Sequence, residues 1–389
     1  MENIIEHAIN PLISPKTKSN ILTNEWNQHR QYLIQLLEKY MYGKPKLLDW
    51  KMNSILVENG PSHQGLGYRK QLKIIISRTN KKIQINLLMY LPVNNKNPPI
   101  FIGINFLGNH TIDSDPNIII NKNYTIKKQP HIMTTKGRGI SSNSWPVKYI
   151  LENGYAIATY HCSDIDPDYD DKYNNGIHNF LEQKSNLGTI AGWAWGLQRV
   201  MDYLETDKEI DSSRVIVFGH SRMGKTALWA GAIDERFKIV ISNCSGCSGA
   251  SYSRNVKKDK METIKLINKN FPHWFNEKYK QFGENIDQMP FDQHFVLSCI
   301  APRPLYVSSA SDDVNADPEG EYISCVLASK SYNFLEKYTN ILPNHQEINK
   351  PIINGYIGYH IHDGKHELRL YDWIQYIKFV NNQLTNVKN

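Results

Sequence analysis

The sequence predicts an α/β fold built on a mostly parallel, doubly wound sheet. Three observations carry this. From Tyr155 onward, short apolar strands alternate with stretches of helical pattern. One of these strands runs straight into a helix through a turn that holds a serine between glycines, Val215-Ile-Val-Phe-Gly219-His-Ser221-Arg222-Met-Gly224-Lys225. No internal repeat, low-complexity tract or linker divides the 389 residues, a length that large α/β enzymes fill as one domain.

Taken in order, residues 1–24 are polar and broken by Pro11 and Pro15, and are expected to form an extended arm. A single domain then spans 25–389. Residues 25–42 place Tyr32, Leu33, Leu36, Leu37 and Tyr40 near helical spacing. Residues 72–77 and 82–92 are apolar runs around an Arg-Thr-Asn-Lys turn, which predicts an antiparallel hairpin. Residues 98–106 form a buried strand that ends at Leu107-Gly-Asn-His110. A helix closes at 148–153, a strand follows at 155–160, and 187–204 is a long helix. The serine turn joins the strand 215–218 to a helix expected over 226–233. Strands at 237–242 and 304–309 flank a Gly- and Lys-rich insertion over 246–290. A helix over 319–338, the segment 358–366 and a final helix from Tyr371 complete the pattern.

Composition narrows the function. The net charge of +7 is spread through Lys- and Asn-rich loops such as 80–82 and 257–260. No basic run is interleaved with aromatics, so no nucleic-acid partner is expected. No apolar run approaches the ~20 residues of a membrane span, and residues 1–20 show no charged-then-apolar leader. The 22 tyrosines and eight tryptophans favour a surface that binds rings, such as sugars or phenolics. Cys244 and Cys247 form a Cys-x-x-Cys, but neither a second pair nor a histidine pair completes a zinc site. No metal or organic cofactor is expected.

The serine turn has the layout of a nucleophile elbow, with the N–H groups of a new helix behind the serine where an oxyanion forms. Taken alone it also fits a phosphate-binding or purely structural Gly-rich turn. The remaining residues decide. A serine nucleophile needs a base, and the base an orienting acid, in the chain order Ser, acid, His. After Ser221, the stretch Ser309-Ala-Ser-Asp312-Asp313-Val-Asn-Ala-Asp317 follows a strand directly, and Gly364-Lys-His366-Glu precedes the final helix. His360 and His362 compete with His366 but fall in a strand pattern, whereas His366 lies in a Gly-containing loop. Asp317 precedes Pro318 and equally suits a helix cap. Asp312 and Asp313 both sit where the strand ends.

These residues bring the chain to a resemblance. It is similar to the glucuronoyl esterases, carbohydrate esterase family fifteen, and above all to their bacterial branch, over about residues 26–373. The carriers are Tyr42-Gly-Lys, Asn105-Phe-Leu-Gly-Asn-His110, Gly219-His-Ser-Arg-Met-Gly-Lys225, Ser245-Gly-Cys-Ser-Gly-Ala250 and Phe271-Pro-His-Trp-Phe275. To these are added Pro290-Phe-Asp-Gln-His294, Ala301-Pro-Arg-Pro-Leu-Tyr306, Gly364-Lys-His366 and Tyr371-Asp-Trp373.

The resemblance implies an α/β-hydrolase fold and a serine carboxylesterase acting on 4-O-methyl-glucuronoyl esters, such as those that join glucuronoxylan to lignin. An acetyl xylan or other uronic-ester esterase, or a carbohydrate-binding protein without activity, are the alternatives. Ser221 would attack with His366 as base, and Arg222 would complete the oxyanion hole. Lys225, Glu262, His273 and Trp274 would bind the substrate. The family implies a secreted or periplasmic location, and a monomer is expected. Many relatives carry the acid as a glutamate where this chain has Cys244, so the acid falls to the second family position, matched by Asp313. Relatives often place a tryptophan where Asn315 stands.

Overall fold

The computed structural model describes residues 2–121, 130–255, 261–343 and 346–385. The Lys-rich stretch 257–260, expected to be a loop, lies outside the described residues in all of its length. Nine strands form one sheet: β1 (Lys51–Ser62), β2 (Gly67–Arg78), β3 (Lys81–Pro92), β4 (Ile100–Asn105), β5 (Ala156–His161), β6 (Val215–His220), β7 (Phe237–Asn243), β8 (Leu305–Ala310) and β9 (Ile357–His362). Their order across the sheet is β1-β2-β3-β5-β4-β6-β7-β8-β9. The first three strands pair antiparallel with one another and with β5, and all the remaining pairs are parallel.

The parallel strands are buried over nearly every residue because helices cover both faces. Alternation along each strand sends neighbours to opposite sides. In β6, Val215 and Val217 join the larger core, together with the helices Trp26–Leu37, Thr189–Leu204 and Arg222–Ile233. Ile216 and Phe218 join the smaller core, under Trp373, Tyr376 and Phe379 of the last helix, Leu370–Thr385. Chain order runs outward from β4 to β5 on one side and to β6 on the other. Between β4 and β6 the sheet therefore has its switch point, and the crevice outside their carboxyl ends is where such sheets bind ligands.

The structure differs from the sequence reading at several boundaries. The segment expected to be an extended arm holds a short helix, Glu2–His7, and buries Leu12 and Ile21. The helix expected from Thr226 begins at Arg222, directly after the serine. The expected hairpin is the inner part of a three-stranded meander, since β1 adds to its edge. The segment 358–366 is a strand only as far as His362, which leaves His366 on a loop. The insertion after β7 contains the helix Ile264–Asn270 and a 3-10 turn, Glu277–Gly283.

Candidate active site

Ser221 sits at φ 57° and ψ −128°, a backbone conformation that costs a non-glycine residue about 1–3 kcal/mol. The surroundings enforce it. Its N–H donates to Asn243 O at 2.8 Å, and its own carbonyl accepts from Gly224 N at 2.8 Å. A Cβ on Gly219 would stand 2.0 Å from Met223 O, so only glycine lets the strand pass this close to the new helix. Because that helix starts at Arg222, its first N–H groups have no partner within it.

His366 is exposed on the loop after β9, and Asp313, 7% exposed, on the loop after β8. Their side chains meet, His366 Nδ1 to Asp313 Oδ2 at 2.5 Å. The other Asp313 oxygen accepts from Ala316 N, which pins the carboxylate. Asp312 is exposed and bonds only locally, to the Ser311 hydroxyl, while its N–H donates to Gly364 O. Asp317 caps the helix Pro318–Phe334 through Gly320 N. His360 is fully buried and tied to Asp372 at 2.7 Å, and His362 is tied to Arg369. Of the candidates left open by the sequence, the structure brings together His366 and Asp313.

A second histidine stands against this pair. His220, the residue before the serine, has its ring centre 4.6 Å from that of His366. Burial, followed by the neighbouring His366, pushes the His220 imidazole down to about 4. It is therefore neutral near pH 7, and its Nδ1–H donates to Asn243 Oδ1 at 2.6 Å. The Asn243 amide in turn donates to Ser308 and Tyr376. This chain fixes the ends of β6, β7 and β8 relative to one another.

Arg222 is held in a cage that the sequence reading missed. Its guanidinium pairs with Asp168 and lies 4.9 Å from the Trp274 ring, 5.4 Å from Phe271 and 5.6 Å from Phe106. Trp274 Nε1 donates to Asp168 at 2.9 Å, and His273 Nε2 lies 3.3 Å from the same oxygen. Burial opposes the charge on Asp168, but His273, Arg222 and Trp274 outweigh it and hold the carboxyl down at about 2. The Arg222 Nε–H is buried and has no partner among the described residues. A buried cationic donor in that state is costly unless something accepts from it. His273 and Trp274, expected at the substrate, are themselves buried and committed to Asp168. The signal for Asp168 was the acidic run that follows β5, Asp164-Ile-Asp-Pro-Asp168.

Lys225 is one turn into the helix and only 3% exposed. Its ammonium donates to the carbonyls of Ser245 and Cys247, which leaves one of its three hydrogens uncommitted. Burial lowers its pKa, partly offset by the charge of Glu262. Glu262 is half-buried, its N–H donates to Asn315 O at 3.1 Å, and it lines a cavity of about 300 Å³. Asn315 is exposed. Cys244 is buried at φ 45°, and burial pushes its thiol well above the usual range.

The chain is similar to several known proteins. A family model described as glucuronyl esterase, fungi, matches residues 109–336. The carbohydrate esterase MZ0003, from an unknown prokaryotic organism, is 38% identical, over 96% of this chain and 89% of its own. A 4-O-methyl-glucuronoyl methylesterase of Podospora anserina is 34% identical over 35% of this chain and 30% of its own. The solved glucuronoyl esterase from Solibacter usitatus superposes with a TM-score of 0.89 at 35% identity, over 96% of this chain and 98% of that one. With the elbow, the sheet order and a full-length relative in agreement, the chain belongs to the glucuronoyl esterases of carbohydrate esterase family 15 and is an α/β-hydrolase-type esterase.

Proposed function

We propose that the protein hydrolyses 4-O-methyl-glucuronoyl esters, such as those between glucuronoxylan and lignin, through a Ser221–His366–Asp313 triad and an acyl-enzyme. The observation that carries the reading is the 2.5 Å bond from His366 Nδ1 to the buried Asp313, with the His366 ring against His220, the residue before the serine of the elbow. With Nδ1–H given to Asp313, Nε2 is the free base. Ser221 Oγ attacks the ester carbonyl as Nε2 takes its proton, and Asp313 stabilises the imidazolium that forms. The tetrahedral oxyanion accepts from the unpartnered Arg222 Nε–H and from the first N–H groups of the helix. The alcohol leaves with the proton from His366. Water then repeats the sequence on the acyl-enzyme and releases the uronic acid.

The sugar is held by the third hydrogen of Lys225 and by Glu262. His273 and Trp274 act on the oxyanion through Asp168, by fixing Arg222. Residues 25–389 work as one catalytic unit. Benzyl glucuronate, assayed beside an acetyl ester under the same conditions, tests the substrate class. Turnover of the glucuronate well above that of the acetyl ester is expected, and the reverse order assigns the scaffold to acetyl xylan. Ser221→Ala should fold and lose both activities, and near-normal turnover by this variant would sink the serine mechanism.

A further inference from the structure

The buried thiol of Cys244 has no place in the ester chemistry, yet it stands against that chemistry. The donor atoms of Cys244, Asp313 and His366 all lie within 4.8 Å of one another, the one such trio of His, Cys, Asp and Glu among the described residues. Two of the three are fixed. Cys244 is 1% exposed and its N–H donates to Ser308 O at 2.7 Å, while Asp313 N donates to Ala310 O at 3.2 Å. His366 is the exposed member, with 42% of its side chain accessible, so a solute reaches the trio from that side.

A thiolate, an imidazole and a carboxylate are the donors that zinc and its heavier congener cadmium prefer. Bonds of about 2.0–2.3 Å at tetrahedral angles require ligand atoms roughly 3.3–3.7 Å apart. The His366–Asp313 pair, 2.5 Å apart, must therefore open while the thiol, within 4.8 Å, closes in, movements of about 1 Å that rotation of the exposed His366 allows. The fourth position is left to water. The groups facing the thiol are Glu321 from the helix Pro318–Phe334, Asp313 from the loop after β8, His366, and Asp372 and Arg369 at the last helix.

We propose that Cys244, Asp313 and His366 bind a soft divalent cation of the zinc and cadmium kind, and that its binding switches the esterase off. The ion replaces the thiol proton, which passes to solvent. It takes the imidazole as a neutral ligand and draws the Asp313 carboxylate away from the ring. No electron is transferred. The binding half stands on the trio alone, and the inhibitory half rests on the triad reading.

Cadmium chloride titrated into the full chain, with thiolate-to-cadmium ultraviolet absorption and ester hydrolysis read in the same samples, tests both halves. One equivalent should develop the absorption, zinc should compete it away, and hydrolysis should fall in parallel and return with chelator. In Cys244→Ser the absorption should vanish, and inhibition, expressed against that variant's own metal-free rate, should need at least about tenfold more cadmium. His366→Asn, read by absorption alone, should weaken binding by about the same factor. Absence of the absorption at one equivalent in the native protein overturns the site, as does a Cys244→Ser variant inhibited like the native chain. Absorption without loss of hydrolysis overturns the inhibitory half and the triad reading together. Loss of hydrolysis in Ser221→Ala with no absorption in the native protein leaves the triad standing and removes only the metal site.

Discussion

At the scale of single residues, two adjacent aspartates have opposite fates. Asp313 turns inward to His366 while Asp312 stays in solvent and braces its own loop. An imidazole without its acceptor loses both its tautomer and its charge stabilisation, so Asp313→Asn should lower kcat by up to ~10⁴-fold. Asp312→Asn should cost little. Measured kcat values for the two variants decide it, and a crippled Asp312→Asn beside a mild Asp313→Asn would move the acid one residue. Asp168 makes a different prediction. It holds Arg222 by charge, so Asp168→Asn should loosen the guanidinium and cut kcat by roughly 100-fold for uronate and acetyl esters alike, with KM little changed. A fall confined to uronate esters would place Asp168 at the sugar instead. Ser221, His366 and the acid loop were legible in the sequence because chain order and a Gly-x-Ser-x-x-Gly turn are local signals. The Arg222 cage was not, since Phe106, Asp168, Phe271 and Trp274 come together only through the fold.

Among the elements, the loop after β7 is tied to the helix of the elbow. Its Ser245 and Cys247 carbonyls grip Lys225 from the serine's own helix. The same loop is fastened from behind by Glu321, which accepts from Gly246 N at 2.9 Å and from Ser309 at 2.5 Å. Hydrogen bonds to a charged partner are worth about 1.5–3 kcal/mol, so Lys225→Ala should lower kcat/KM for glucuronate esters by ~10- to 100-fold more than for acetyl esters. Equal losses on both substrates would make the lysine a structural clamp only. The sequence placed this lysine at the substrate, and its burial was invisible because the covering loop is twenty residues away. β1 was missed for another reason. Its residues are mostly exposed and show no alternation, with Ile55, Leu56 and Val57 facing solvent. Backbone pairing to β2 is what makes it a strand, and side-chain pattern carries no trace of that.

The whole molecule carries a further consequence of burying so many histidines. Burial pushes His161, His220 and His294 each down to about 4. In the unfolded chain the same groups titrate near 6.5. Between these values the unfolded state binds protons that the native state refuses, so stability is full above about pH 6.5 and drains as the pH falls toward 4. Each histidine contributes a slope of about 1.4 kcal/mol per pH unit there, and the three together several kcal/mol, which is comparable with the total stability of a typical domain. Asp168 works in the other direction at a lower pH. Held down at about 2, it adds stability above the unfolded carboxylate value of about 3.9 and surrenders it only as the pH falls through 2. Its contribution is therefore constant between pH 6.5 and 4 and does not offset the slope of the histidines. Urea unfolding at pH 7, 6 and 5 should show a midpoint that falls at each step, with more of the loss between 6 and 5 than between 7 and 6. Replacing His294, whose ring is fully buried against Ile9 O, with glutamine should flatten the slope by about one third. A midpoint that stays level from pH 7 to 5 would show that these histidines titrate in the native protein as they do in the unfolded chain.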